Sequence, residues 1–192
     1  MPDSDQIKHV GIEVQGSKAS PGKGRSLRAV RVFQPGRQIA LFDSPLVAIP
    51  SGPTAKSICN HCLTPEVAVK TCTGCKAVAY CGAACQKSHW SLVHKLECRA
   101  FKRVRSKVAQ DWLPTAVRAA VQILLRWEDS AVRDAVGALM SNVDAFRKKK
   151  QAFEDLGIQS LAACTYAGWE TTEENLQLGL EILCKVGCPI FL

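Results

Sequence analysis

The sequence predicts an α+β protein in three parts, and three observations carry that reading. The first fifty residues are β-prone and rich in turn formers. Residues 59–98 hold seven of the ten cysteines, at metal-ligand spacings. Beyond residue 102 the apolar residues recur with a helical period. The seams fall at a breaker-rich linker, PSGPTAKS at 50–57, and at the end of the cysteine block. The expected parts are therefore 1–50, 51–101 and 102–192.

In the first part Val10, Ile12 and Val14 alternate, as a short half-buried strand requires. A Gly-, Ser- and Lys-rich loop follows. The segments LRAVRVF and RQIALFD are both β-prone and flank Gln34-Pro35-Gly36-Arg37. Proline then glycine at the centre suits a type II turn, because glycine accepts positive φ. A hairpin between those two segments is predicted. In the last part Val117, Val121, Leu124 and Leu125 form one helical stripe behind Pro114. Val132, Val136, Leu139 and Met140 repeat that spacing after Ser130. A third helix has a capping box, Thr171 with Glu174, and a stripe of Leu176, Leu180, Leu183 and Cys184. Gly187 and Pro189 are its stop signals.

The composition, 47% hydrophobic and 22% charged over 192 residues, is that of a folded chain rather than a disordered one. The net charge of +8 is uneven, at +3 for 1–50, +4 for 51–101, +6 for 102–151 and −5 for 152–192. No segment reaches the charge density of a nucleic-acid-binding tail, so the basic excess is read first as a solvated face. The opening MPDSDQIKHVG lacks the apolar core of a signal peptide, and the most apolar stretch is broken by Glu181 and Lys185. An intracellular protein, in the nucleus and/or the cytoplasm, is expected. Thiols stay reduced there, and the cysteines need a purpose other than disulfides.

Metal binding supplies it. Cys59/Cys62 and Cys72/Cys75 are C-x-x-C pairs, whose two sulfurs reach one ion from a tight knuckle. Cys81/Cys85 and His94/Cys98 are each four residues apart, which places both donors on one side of a helical turn. Eight donors fill two closed tetrahedral zinc sites, and a closed site is structural, because catalytic zinc keeps a position open for water. Spacing alone permits consecutive pairs to share an ion or the pairs to interleave. Buried free thiols do not account for seven cysteines so spaced. A redox C-x-x-C would sit in a βαβ pattern that is missing here. His61 and His89 are read as packing or surface residues rather than ligands, and Trp90 as filler between the two clusters. No catalytic residue is assigned.

The order C-x2-C, C-x2-C, YC-x3-CQ, W, H-x3-C resembles a MYND zinc finger over its whole length. The resemblance implies interleaving: Cys59, Cys62, Cys81 and Cys85 on one zinc, Cys72, Cys75, His94 and Cys98 on the other. Upstream, PGKGRSLRAVRVFQPGRQIALFDSPLVAIP resembles the N-terminal piece of the SET domain in the SET–MYND (SMYD) family, which the finger interrupts. Residues 102–192 are similar in character to that family's helical insert. The implied fold is a split SET β-hairpin region, a two-zinc finger and an all-α segment.

That family consists of protein-lysine methyltransferases using S-adenosylmethionine, some of them acting on histones. The resemblance implies that Lys23, Gly24 and Arg25 contact this cofactor, although Ser26 stands where the family's turn has its second glycine. The family's Asn-His-Ser-Cys segment and late channel tyrosine have no counterpart before Leu192. Asn60-His61 lies inside a knuckle, and the only tyrosines are Tyr80 and Tyr166. S-adenosylmethionine is therefore expected only with a complete SET domain, and the chain alone is expected not to methylate. The leading expectation is a zinc-dependent module that binds proteins, such as proline-containing peptides or histones, and no membrane. One alternative is weak nucleic-acid binding through Lys76, Lys87, Lys95, Arg99, Lys102, Arg103, Arg105 and Lys107. The other is a methyltransferase completed by further sequence.

Overall fold

The computed structural model describes residues 11–15, 26–39, 45–51, 54–105 and 113–186. The chain divides into two compact units, residues 1–45 with 138–140, and residues 46–137 with 141–192.

The first unit is built on an antiparallel pair, β1 (Ile12–Gln15) with β2 (Ser26–Ala29). Ile12 stands opposite Ala29, and Val14 opposite Leu27. Ile12 is buried, whereas Val14 and Leu27 are both exposed. The expected turn forms at Gln34–Arg37: Arg37 N–H donates to Gln34 O at 3.1 Å, and Gly36 takes φ +78°. A Cβ would strain that backbone. The arms of the hairpin differ from the expectation, however. Leu27–Ala29 pairs with β1, and residues 30–39 are not in a strand. The alternating earlier segment supplies the partner of β2, and residues 40–43 of the segment beyond the turn lie outside the described residues.

The second unit starts with the cysteine-rich region. A two-residue hairpin, β3 (Lys70–Thr71) with β4 (Ala79–Tyr80), brackets the second C-x-x-C pair. A parallel bridge from Cys59 to Ala79 draws the first pair to the same strand. After Gly82 one long helical run follows in three pieces: α1 (Ala83–His89), a π-helical turn (Trp90–His94) and α2 (Lys95–Arg105). Single π turns inside α-helices occur often at functional sites, and this one ends on a donor residue.

Behind it lies a helical layer: α3 (Thr115–Leu124), α4 (Ser130–Gly137), α5 (Val143–Arg147), α6 (Lys150–Ala167) and α7 (Glu173–Val186). Helix α3 is the axle. It starts after Pro114 as expected, every residue from Val117 to Leu124 is buried, and it packs against both α6 and α7. On α4, Val132 and Val136 are buried, but the expected Leu139 and Met140 fall beyond the helix and are each 38% exposed. Helix α7 starts two residues later than its expected cap. Thr172, not Thr171, is the capping residue, its Oγ1 accepting from Asn175 N–H at 3.3 Å. Leu180, Ile182, Leu183 and Cys184 are buried, with Leu176 packed beside them. Helix α6, which the sequence reading did not anticipate, ends at Gly168 in the left-handed region. There the N–H groups of Gly168 and Trp169 both return to Cys164 O. The stop signals Gly187 and Pro189 lie outside the described residues.

Candidate metal centre

The two knuckles repeat one backbone device. Leu63 N–H donates to Cys59 O at 3.0 Å, and Lys76 N–H donates to Cys72 O at 2.8 Å. Leu63 and Lys76, each one residue past the second cysteine, take φ of 55° and 57°. A non-glycine residue there costs on the order of 1–3 kcal/mol. Closing two sulfurs on one ion offsets that strain.

The helical run brings in the remaining donors. The side chains of Cys59, Cys62, Cys81 and Cys85 converge in one cluster and those of Cys72, Cys75, His94 and Cys98 in another, with all donor atoms of each within 4.8 Å of one another. Cys62 Sγ lies 3.8 Å from Cys81 Sγ, and Cys81 Sγ lies 3.5 Å from Cys85 Sγ. His94 Nε2 lies 3.5 Å from Cys72 Sγ and 3.8 Å from Cys75 Sγ. Donors at ~2.3 Å from the centre of a tetrahedron stand ~3.8 Å apart, so both clusters have the right size for zinc. The pairs interleave as the resemblance implied. Two zinc ions of a MYND finger are consistent with these donor sets, one all-cysteine and one of three cysteines with a histidine.

The charge balance points the same way. Burial would raise the Cys59 thiol, but backbone N–H groups of Cys81, Cys62 and His61 bring it down to about 6. Cys72 falls to about 7, burial again being outweighed, here by N–H groups of Cys75 and Gly74 and by His94. Cys75, by burial, and Cys85, by its neighbour Cys81, are pushed up to about 12. Each cluster thus holds at least one thiol below its usual value and one far above it, a separation that an entering cation would remove.

The clusters differ in their surroundings. In the all-cysteine set Cys62 and Cys81 are exposed and Cys85 is half-buried, while in the histidine-containing set all four residues are buried. His94 is aimed by a buried polar network. Its Nδ1 lies 3.0 Å from Glu97 Oε2, which leaves Nε2 facing the thiols. Glu97, fully buried, also accepts from Arg118 Nε at 2.6 Å, Arg118 Nη2 at 3.1 Å and Gln122 Nε2 at 3.0 Å. Arg118 Nη1 donates to Asn60 Oδ1 at 2.7 Å. Asn60, between Cys59 and Cys62, donates through Nδ2 to the carbonyls of Ala55, Ile58 and Ala79. Burial would raise the Glu97 carboxyl, but the Arg118 charge and the hydrogen bonds from His94, Arg118 and Gln122 hold it well below the usual carboxylate range. Among the described residues no buried side-chain nitrogen or oxygen lacks a partner.

The sequence reading missed Asn60, Glu97, Arg118 and Gln122. One signal could have found two of them: Arg118 and Gln122 are polar, four residues apart and so on one face, in a helix otherwise made of apolar and small residues.

His89, His94 and Glu97 also approach one another closely enough to suggest a metal site. The Glu97 oxygens are already taken by Arg118, Gln122 and His94, and a guanidinium beside a cation would repel it. His89 behaves as a packing residue: it is buried, stacks on His94 at 5.5 Å, and its Nδ1 lies 2.9 Å from the Tyr80 hydroxyl. Burial lowers it to about 4, so it stays neutral. His61 is half-buried with its ring 6.3 Å from that of His89. Trp90 is not filler between the clusters. It meets His94 edge-on at 5.8 Å and is 40% exposed, at the first residue of the π turn. With Ser91, Leu92, Lys95, Leu96 and Arg99 it lines a shallow groove of about 450 Å³.

Lys76, Lys87, Lys95, Arg99, Lys102 and Arg103 are exposed. Arg103 is partly committed, donating to Tyr166 O at 2.5 Å. Lys107 and the side chain of Arg105 lie outside the described residues, as do Lys23, Gly24 and Arg25, the expected cofactor contacts. No described helix is long and apolar enough to cross a membrane.

Comparison with known proteins agrees with this geometry. Residues 59–98 match the MYND finger family. The chain is 29% identical over 193 residues to the N-lysine methyltransferase SMYD2-A of Danio rerio, an alignment covering 96% of the chain and 42% of that protein. It is 36% identical over 109 residues to the N-lysine methyltransferase SMYD2 of Homo sapiens, covering 56% and 24%. It is also 36% identical over 106 residues to the histone-lysine N-methyltransferase ASHR1 of Arabidopsis thaliana, covering 55% and 21%. The chain thus spans between about a fifth and two fifths of the length of these relatives.

Proposed function

Because the chain belongs to the SMYD family and carries its MYND zinc finger, we propose that it works as a zinc-dependent protein-interaction module. MYND fingers are in general such modules. The observation that carries this reading is the groove on the helical run of the finger. Trp90, Leu92 and Leu96 are 40%, 64% and 36% exposed on it, and Lys95 and Arg99 flank them. An amphipathic ring with two aliphatic neighbours suits a short, extended, proline-containing peptide, whose preset backbone loses little entropy on docking. The two cations favour a peptide with acidic flanks. Zinc supplies rigidity: with four protein donors on each ion there is no open position for a substrate.

Methyl transfer is a property named for the relatives. We propose that these 192 residues on their own bind rather than methylate, and that S-adenosylmethionine is engaged, through Lys23, Gly24 and Arg25, only in a complete SET domain. An intracellular location, nuclear or cytoplasmic, accompanies this reading.

Titration of the zinc-loaded chain with immobilised proline-containing acidic peptides tests the module. Binding that disappears in Trp90→Ala, with two zinc equivalents retained, supports it. Equal binding by the variant contradicts it. Transfer of a radiolabelled methyl group by the purified chain contradicts the second proposal.

A second reading has one observation in its favour. Lys95, Arg99 and Lys102 form an exposed stripe along α2, which suits the phosphates of a nucleic acid. A log–log salt slope close to zero for any nucleic-acid binding would remove it.

A further inference from the structure

We infer that Arg118, on α3, is the positioning residue of the histidine-containing zinc site, and that through it zinc binding at that site and the docking of α3 are one event. The inference rests on zinc at this site and is independent of the peptide partner proposed above.

Three observations carry it. First, the His94 ring is oriented from behind. Glu97 Oε2 accepts a hydrogen bond from Nδ1–H, which leaves the Nε2 lone pair directed toward Cys72 and Cys75. Carboxylates behind metal-bound histidines fix tautomer and orientation in this way, and their loss typically weakens metal binding ~10–100-fold. Second, Glu97 is held by protein groups. It is fully buried, and its two oxygens are fixed by the fork of Arg118 and by Gln122, both from α3. A planar guanidinium gripping both carboxylate oxygens sets direction as well as charge, which a lysine cannot do. Third, the remaining arm of Arg118 reaches Asn60 in the first knuckle. Asn60 keeps three backbone partners without it, so the knuckle of the all-cysteine site does not depend on Arg118 for its shape. The dependence therefore falls on one site and not the other.

The structural consequence is that the finger is not autonomous in this protein. A charge cluster shared between α2 and α3 is buried and paired only when both are docked, and removing either partner from the docked state leaves an uncompensated buried ion. By reciprocity, whatever α3 contributes to zinc affinity, zinc returns to the docking of α3.

The test uses the full zinc-loaded chain, with Arg118→Gln, Arg118→Lys and Glu97→Gln, and with Arg147→Gln as an exposed control (56% accessible). Zinc release to a chromogenic chelator is followed, and cobalt reconstitution reports the spectra of the all-cysteine and histidine-containing sites separately. Expected is ~10–100-fold weaker retention at the histidine-containing site in the Gln variants, partial recovery in Arg118→Lys, a changed cobalt signature at that site only, and no change in Arg147→Gln. Wild-type retention at both sites in a folded Arg118→Gln or Glu97→Gln would overturn the inference, as would equal loss at both. Should the Gln variants not fold, hydrogen exchange of the wild-type chain decides. Protection of α3 is expected to fall with loss of the zinc bound by His94, and protection that survives its loss overturns the inference. Fewer than two zinc equivalents in the wild type would instead contradict the metal assignment itself.

Discussion

The two metal clusters share their ligand chemistry but differ in what surrounds them. The all-cysteine set sits at a rim: Cys62 and Cys81 face solvent, and its knuckle is held by backbone hydrogen bonds to β4. The histidine-containing set sits in the core, its cysteines packed in one apolar cluster with Val78, Phe101, Val104 and residues of α3 and α6. Its only nitrogen donor is aimed by a buried ion pair. Similar ligand spacings have thus been fitted to two tasks. One site closes a loop; the other joins the finger to the helical layer.

Removing both metals is the largest perturbation of this contrast. Structural zinc contributes on the order of ~10–16 kcal/mol per site in small fingers, more than the paired strands β3 and β4 could replace. Chelation is expected to abolish near-ultraviolet dichroism of the finger and to lower α3 protection with it. Unchanged dichroism would remove the premise.

Single-ligand variants sharpen the comparison. Cys72→Ser places a weaker donor in the buried set and is expected to destabilise the whole second unit, seen as a loss of melting cooperativity. Cys62→Ser, at the exposed rim, is expected to release one zinc while the helical layer melts as in the wild type. Equal effects of the two would mean that burial does not distinguish the sites.

Reactivity offers a third contrast. Thiolates at the surface meet an electrophile first, so a mercurial titration is expected to release zinc in two phases, the fast one protecting Cys62 and Cys81 from later alkylation. A single phase would contradict the difference in exposure. The smallest effect belongs to Trp90→Ala. Much of that ring faces solvent, and the expected stability loss is about 1 kcal/mol or less by chemical denaturation, with zinc stoichiometry intact.

What could be read from the sequence follows the range of the interactions involved. The eight donors were legible because a knuckle and a helical turn are local geometries, and a separation of three or four residues suffices to recognise them. The fold class was legible for the same reason, from alternation before residue 50 and a helical period after 102. Trp90 was misplaced because a tryptophan among ligand cysteines reads as core, whereas its exposure depends on which side of the helical run packs against the rest of the unit. The pairing of Leu27–Ala29 with β1 was not foreseen because the segments on both sides offer similar β character. Helix α6 escaped because its apolar residues form no single stripe: Ile158 and Leu161 are exposed while Leu156, Ala163 and Cys164 are buried. The Glu97–Arg118 pair joins residues 21 apart on different helices, and only the folded chain reveals it.

X-ray absorption at the zinc edge of the purified full chain tests the central claim most directly. The account predicts two zinc equivalents with seven sulfurs and one nitrogen between them, the residues of the two clusters. An excess of oxygen or nitrogen donors, or a single bound equivalent, would contradict it.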